Sequence, residues 1–365
     1  MRNLWRRYGM RIDGRRIVAL AAALAATGAC EFGADDSGGG GCGGTPGVLG
    51  NVTFNFEHAG TEDLSDPSGN AFAAGTLETA GFSMNDGSVA PASIAESSDP
   101  AIFSVDEGGT ADHPLRLAFQ RPGIATLRVL QSADRSVLDE VNLRVAEPRA
   151  LRLSAGHVHS PSFDGAGLVG EPERIVLLPG AQCRLYSYLT DGTELILYGT
   201  FSTTVTGATI ASFADEGMVP LSLIGAAVHS AQRVTAVSEG SETVTVAGPG
   251  GLQRQVRIDV EAAPVVERLE LALWPGYVTE WKAGETTVAS VYGRTADGAP
   301  VYGAPVTFAS GDATVVAVRA DTGEPDSASL DFLRVGSATI TVRLVADPSV
   351  SSEFDVTVVA PDAED

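Results

Sequence analysis

Three cysteines are all this chain has, and no two share a periodic segment. Cys30 ends an N-terminal leader, Cys42 sits among glycines and Cys183 stands alone in mid-chain. That excludes a disulfide staple inside any domain and a zinc site of Cys-x-x-Cys spacing. Cys183 is expected as a small buried hydrophobe, with a Cys42–Cys183 bridge as the alternative. The five histidines (His58, His113, His157, His159 and His229) are scattered, without a recurring carboxylate or nucleophile partner. There is no Gly-x-Ser-x-Gly elbow, His-Glu-x-x-His, phosphate loop or dinucleotide fingerprint. No catalytic residue and no cofactor is therefore assigned, and the chain reads as a non-enzyme. Aromatic residues make up 6%, and the periodic segments are rich in Val and Thr, which argues for strands over helices.

Positive charge is scarce beyond the leader. Of 24 basic and 46 acidic residues, six arginines and Asp13 precede residue 30, leaving 18 basic against 45 acidic, a net charge of −27. Such a surface repels phosphate backbones and anionic head groups, so nucleic acid is excluded as a partner. Long apolar runs are missing too. The stretch Ile17–Ala26 has the length of a signal-peptide core and is too short to remain as a bilayer-spanning helix. It follows the basic segment Met1–Arg16 and leads into Thr27-Gly28-Ala29-Cys30. These residues resemble a bacterial lipoprotein signal, with Thr27 where Leu is typical. The resemblance implies a signal peptide over 1–29, lipidation of Cys30, and export to the cell envelope, with the outer membrane or cell surface favoured. The alternative is a secretory peptide cut near Ala29. Residues 30–50, with the run Gly38–Gly41, show no apolar period and are expected to be a flexible tether.

What the chain has in abundance is self-similarity at a period of roughly 100 residues. A glycine leads an alternating strand three times: Gly123–Val129, Gly240–Val246 and Gly336–Val342. Each is followed by a two-faced closing strand that stops at Pro148, Pro264 or Pro361. In the closing strands Val141, Leu143 and Val145, then Val256, Ile258 and Val260, then Phe354, Val356 and Val358 mark the buried face. Asp-Gly pairs at Asp86-Gly87, Asp191-Gly192 and Asp297-Gly298 predict hairpin turns. A further anchor follows each: Ser97–Val105, Thr206–Phe213 and Ala309–Val318. Short strands with turn signals and no helical period predict an all-β chain of tandem antiparallel sandwiches over 51–148, 149–264 and 265–365. Short proline joints predict a semi-rigid string of three units.

These segments resemble bacterial Ig-like repeats of the group-2, invasin/intimin-associated type. Ser97–Val105 and Gly336–Val342 carry the resemblance best, and the second repeat departs most, with an apparent insertion at 157–172. The resemblance implies Ig-like sandwiches in an envelope protein with a structural, adhesive or protein-binding role. The implied partners are a membrane, through the lipid anchor, and an envelope protein or glycan. A carbohydrate-binding role and a spacer or accessory role in an envelope complex are the alternatives.

Three local groups are the remaining candidates. Trp274, Tyr277 and Trp281 are a possible ligand contact if exposed, because aromatic rings stack on sugars, and core filling if buried. His157-Val158-His159 places two imidazoles on one side of a strand, but the flanking Gly/Pro/Ser-rich insertion predicts exposed loop histidines. The acidic segments Glu62–Asp66 and Asp321–Asp326 offer oxygen ligands without an ordered calcium-loop spacing, and are expected to be solvated loops. No metal site is assigned.

Overall fold

The computed structural model describes residues 45–56, 71–106, 115–158, 169–192, 195–196, 199, 201–221, 226–273, 280–320 and 323–361. Cys30, Cys42, the acidic segment Glu62–Asp66, His159, Trp274 and Tyr277 lie outside the described residues. Among the described residues the fold is all-β, built from packed antiparallel sheets, and no helix is long and apolar enough to cross a membrane.

The three repeat anchors meet in space, and this explains why they recur. Each leading glycine opens a strand: Gly123–Gln131, Gly240–Ala247 and Gly336–Leu344. Each such strand pairs antiparallel with its closing strand, Val137–Ala146, Gln253–Val260 or Ser351–Val359. At each glycine the apolar residue of the preceding anchor presses on the backbone. A Cβ on Gly123 would lie 2.6 Å from Ile102, one on Gly240 3.3 Å from Ile210, and one on Gly336 3.0 Å from Val315. All three glycines also have positive φ, a conformation that side chains disfavour.

The anchor's own turn is held by a carboxylate. Asp99 accepts from the Ala101 amide at 3.0 Å, and Asp312 from the Thr314 amide at 2.9 Å. The second repeat has no aspartate there. The Glu242 carboxylate substitutes from the neighbouring strand, accepting from the backbone amides of Thr209, Ile210 and Ala211. The degenerate sequence thus keeps the same local geometry by another donor–acceptor pairing.

Each unit folds two sheets face to face. In the first, a sheet containing Val52–Phe56, Leu77–Met84, Leu115–Phe119 and Phe103–Asp106 packs on one containing Val137–Ala146, Gly123–Gln131 and Ser93–Ser97. Phe54, Phe103, Leu115, Leu117, Leu127 and Leu143 fill the space between them. The first closing strand is two-faced over 141–145 as its sequence predicts, with Val141, Leu143 and Val145 buried and Asn142 exposed, whereas the second buries Asp259 along with Ile258 and Val260, and the third leaves Phe354 half-buried. The Asp-Gly pairs have mixed fates. Asp191-Gly192 and Asp297-Gly298 close true hairpins, because the flanking strands pair with each other. Asp86-Gly87 is a turn of the same local kind (Gly87 φ 72°), but it carries the chain from one sheet to the other. A turn residue fixes local curvature and leaves the choice of partner strand to the core.

In every unit a short edge strand pairs in parallel with the closing strand: Phe72–Ala73, Arg174–Leu177 and Glu280–Lys282. The middle one is special. Its free edge is taken by Pro300–Tyr302 of the third unit, again in parallel, with Val176 opposite Val301 and Leu177 opposite Tyr302. One nine-stranded sheet therefore runs from the second unit into the third. The cores are continuous as well. Ala71, Ala73 and Ala146 of the first unit and Tyr292 and Tyr302 of the third belong to the core of the second. The expectation of a string of units separated by proline joints thus meets a different arrangement at Pro264. The joint is a shared sheet, because Ile175, Val176 and Leu177 are fully buried and need partners on both faces and both edges.

Candidate functional site

The junction of the second and third units gathers the chemically distinctive side chains. Strand Ala150–Gly156 runs along the second unit and delivers His157 at its end. The His157 side chain is 2% exposed, and its Nε2 lies 2.8 Å from Oδ1 of Asp326, itself 2% exposed. The other Asp326 oxygen accepts from the Gly303 amide at 2.7 Å. Asp326 immediately precedes the strand Ser327–Phe332, and its carbonyl accepts from the Val291 amide at 2.9 Å. Glu324 stands two residues earlier and is half-buried. One ligand atom each from His157, Glu324 and Asp326 all lie within 4.8 Å of one another.

Two expectations are corrected here. His157 is not a solvent-exposed loop histidine, since the strand continues to Gly156 and inserts the imidazole against the third unit. Asp326 does not belong to a solvated loop, because its carboxylate is fixed by the imidazole and a backbone amide. Of the apparent insertion at 157–172, residues 159–168 lie outside the described residues.

Around this pair the junction is tightly packed. Gly303 has φ +80°, and a Cβ there would lie 2.3 Å from the Ala181 Cβ. Tyr302 is fully buried, 5.8 Å from Tyr292 ring to ring. Burial pushes the Tyr302 hydroxyl well above the usual tyrosine range, and pushes the Cys183 thiol up likewise. Cys183 is free, and it fills core space as its sequence context predicts.

One arginine bridges the two units. Arg174 bonds Asp259 and Glu261 of its own unit and reaches Asp297, in the Asp-Gly hairpin of the third unit, at 3.2 Å. Its guanidinium is held above its ordinary value, chiefly by the Asp259 hydrogen bond. Glu216 sits between Arg184 and Arg233, and Glu270 between Tyr292 and Arg294.

Burial pushes the carboxyl of Asp259 up. Hydrogen bonds from Ser241, Arg174 and Arg257 outweigh it and hold the group below the usual value of 3.8. Glu216 and Glu270 show the same balance, with arginine bonds overcoming burial. A folded value below the unfolded one means the stabilisation is complete above the unfolded value and disappears as pH falls through the folded one. The melting temperature is therefore expected to hold steady from pH 7 down to about pH 5, then drop steeply below about pH 4. Asp259→Asn should lower the neutral-pH stability by about 1–3 kcal/mol and flatten the acid limb. Thermal melts between pH 7 and 3 test this, and parallel wild-type and variant curves would refute it.

The aromatic candidates separate. Trp281 is 6% exposed and stacks on Phe332 with ring centroids 4.7 Å apart, so its ring fills the third unit's core. Trp274 and Tyr277 lie outside the described residues, as does Cys30. The junction was missed as a site because its parts are distant in sequence: His157 and Asp326 are 169 residues apart.

No protein-family model matches the chain, and no curated protein matches it. Among solved structures it is similar to domains 4–9 of the surface layer protein SbsC, at 18% identity over 81% of this chain and 44% of that one, with a TM-score of 0.35. It is also similar to the Escherichia coli adhesin FdeC, at 11% identity over 85% of this chain and 97% of that one, TM-score 0.23. For invasin, a bacterial integrin-binding protein, the figures are 14%, 84% and 60%, with TM-score 0.23. The chain thus spans less than half of the SbsC fragment. A likeness at these scores assigns this chain neither a partner nor an activity.

Proposed function

We propose that this chain is a non-enzymatic envelope protein, exported and lipid-anchored at Cys30, whose three sandwich units over 51–148, 149–264 and 265–365 form a stiff surface-presented array with a structural or adhesive role. The observation that carries this reading is the shared nine-stranded sheet across the second and third units. A module meant to stand out from a surface gains reach from joints that do not bend, and here side chains at the joint are spent on packing. The leader supports export, through its basic start, short apolar run and small residues before Cys30. The strong acidity of the processed chain fits a soluble surface layer more than contact with anionic lipid or nucleic acid.

The contact proposed for such an array is an envelope protein or a glycan. Trp281 is not the ring that makes it, being core. Cys30→Ser is expected to move the protein from the membrane fraction to the aqueous phase in a detergent-partition assay, with loss of labelled fatty acid from the chain. Retention of the variant in the membrane, with no label on the wild type, would sink the anchor. A glycan and envelope-protein binding screen on the full chain tests the adhesive role.

A further inference from the structure

We propose that His157, Glu324 and Asp326 form a zinc site that staples the second unit to the third. Two segments that each look inadequate in the sequence are brought together here. The strand Ala150–Gly156 supplies an imidazole, and the residues before Ser327–Phe332 supply two carboxylates. The donor set is one nitrogen and two oxygens, which suits Zn²⁺, whereas Ca²⁺ and Mg²⁺ take oxygen ligands alone.

The geometry agrees. His157 Nε2 and Asp326 Oδ1 are 2.8 Å apart. Tetrahedral zinc with bonds of about 2.0 Å holds its ligand atoms about 3.3 Å apart, so a rotamer adjustment of about 0.5 Å admits the ion. Asp326 is oriented from behind, because its second oxygen is fixed by the Gly303 amide. Metal-binding carboxylates are commonly held this way. His157 and Asp326 are each nearly excluded from water, while Glu324 is half-buried. Glu324 is thus the ligand of the set nearest solvent, and a water completes the fourth position, as in three-ligand zinc sites. Because His157 belongs to the second unit and both carboxylates to the third, bound zinc closes the joint that the shared sheet begins. The inference stands independently of the lipid anchor and of any adhesive partner.

The test uses the full chain, purified without a histidine tag and stripped with chelator. Titration calorimetry with ZnCl₂ is expected to show one saturable equivalent. Thermal melts should rise saturably with Zn²⁺, with no comparable rise in equimolar Ca²⁺ or Mg²⁺. Co²⁺ in its place should give the visible absorption of a four-coordinate N/O site. Glu324→Gln, an isosteric change at a half-buried position whose melt in the absence of zinc reports whether the fold is kept, is expected to weaken zinc at least tenfold. His157→Gln should abolish the saturable equivalent and the cobalt band. If His157→Gln fails to fold, Glu324→Gln decides alone. The absence of saturable zinc binding by the folded wild type overturns the proposal. So does one-equivalent binding that Glu324→Gln leaves unchanged, because the ion then sits elsewhere.

Discussion

Gly303→Ala is expected to destabilise the protein by about 2–5 kcal/mol, more than the backbone strain of an ordinary glycine substitution alone. Two contributions add. The backbone of Gly303 sits at φ +80°, where a side chain costs roughly 1–2 kcal/mol. The new Cβ would also lie 2.3 Å from the Ala181 Cβ and 3.7 Å from the Leu178 Cβ. Ala181 belongs to the second unit, so relief requires the two units to move apart. Overpacking of this kind costs typically about 1–3 kcal/mol. The Gly303 amide is moreover the donor that fixes Asp326, so the shift propagates to His157. Gly298→Ala is the matched control. It has φ +85° and nothing within 4 Å of a new Cβ, so only the backbone strain should appear, about 1–2 kcal/mol. Chemical denaturation of both variants separates the contributions. Equal losses would show that the junction is not packed as described.

Much of this fold is legible in the chain, and the reasons are local. The glycine-led strands, the two-faced closing strands and the positive-φ Asp-Gly turns are each determined within a few residues. Sequence pattern therefore locates them without knowing their partners. The partner is what a short motif does not contain. Asp86-Gly87 has the chemistry of a hairpin and spans two sheets instead, because Leu77–Met84 already has Val52–Phe56 and Leu115–Phe119 on its two edges.

The shared sheet had a signal of its own. Ile175-Val176-Leu177 is a continuous apolar run without alternation, the mark of a strand buried on both faces. What the run does not encode is that its second edge belongs to a strand more than a hundred residues later. The candidate site has the same character. His157 and Asp326 each stand in a local group, His157-Val158-His159 and Asp321–Asp326, and neither group reveals the other, because ligand spacing in sequence is informative only when one loop or one strand supplies the set. A site assembled across two units has no spacing to read.

Asp139→Ala is expected to cost the first unit about 3–5 kcal/mol, because it leaves four backbone donors without their acceptor at about 1–3 kcal/mol for each that stays buried and unpaired. Asp139 is fully buried in the middle of the closing strand Val137–Ala146. The alternation of that strand breaks here, with Leu138 and Asp139 both buried, because the register shifts opposite Val129/Leu130. Such a bulge re-aims a side chain. The carboxylate is thereby delivered to the turn before Val52–Phe56. There Oδ1 accepts from the Leu49 and Glu140 amides at 2.8 Å each, and Oδ2 accepts from Asn51 at 2.7 Å and Val52 at 2.8 Å. Four backbone donors converge on two oxygens, so the charged acceptor does what no apolar residue of that size does. The turn is built around it: a Cβ on Gly47 would fall 2.2 Å from the Asp139 Cγ. Asp139→Asn distinguishes hydrogen bonding from volume. The amide is isosteric, yet whichever way it faces, its NH₂ meets two backbone donors, so its loss should come within about 1 kcal/mol of the alanine variant. Calorimetric melting reports the size of the loss. Hydrogen exchange at the Leu49, Asn51 and Val52 amides should accelerate in both variants. An Asp139→Asn protein as stable as wild type, with those amides still protected, would show that packing and not the carboxylate holds this turn.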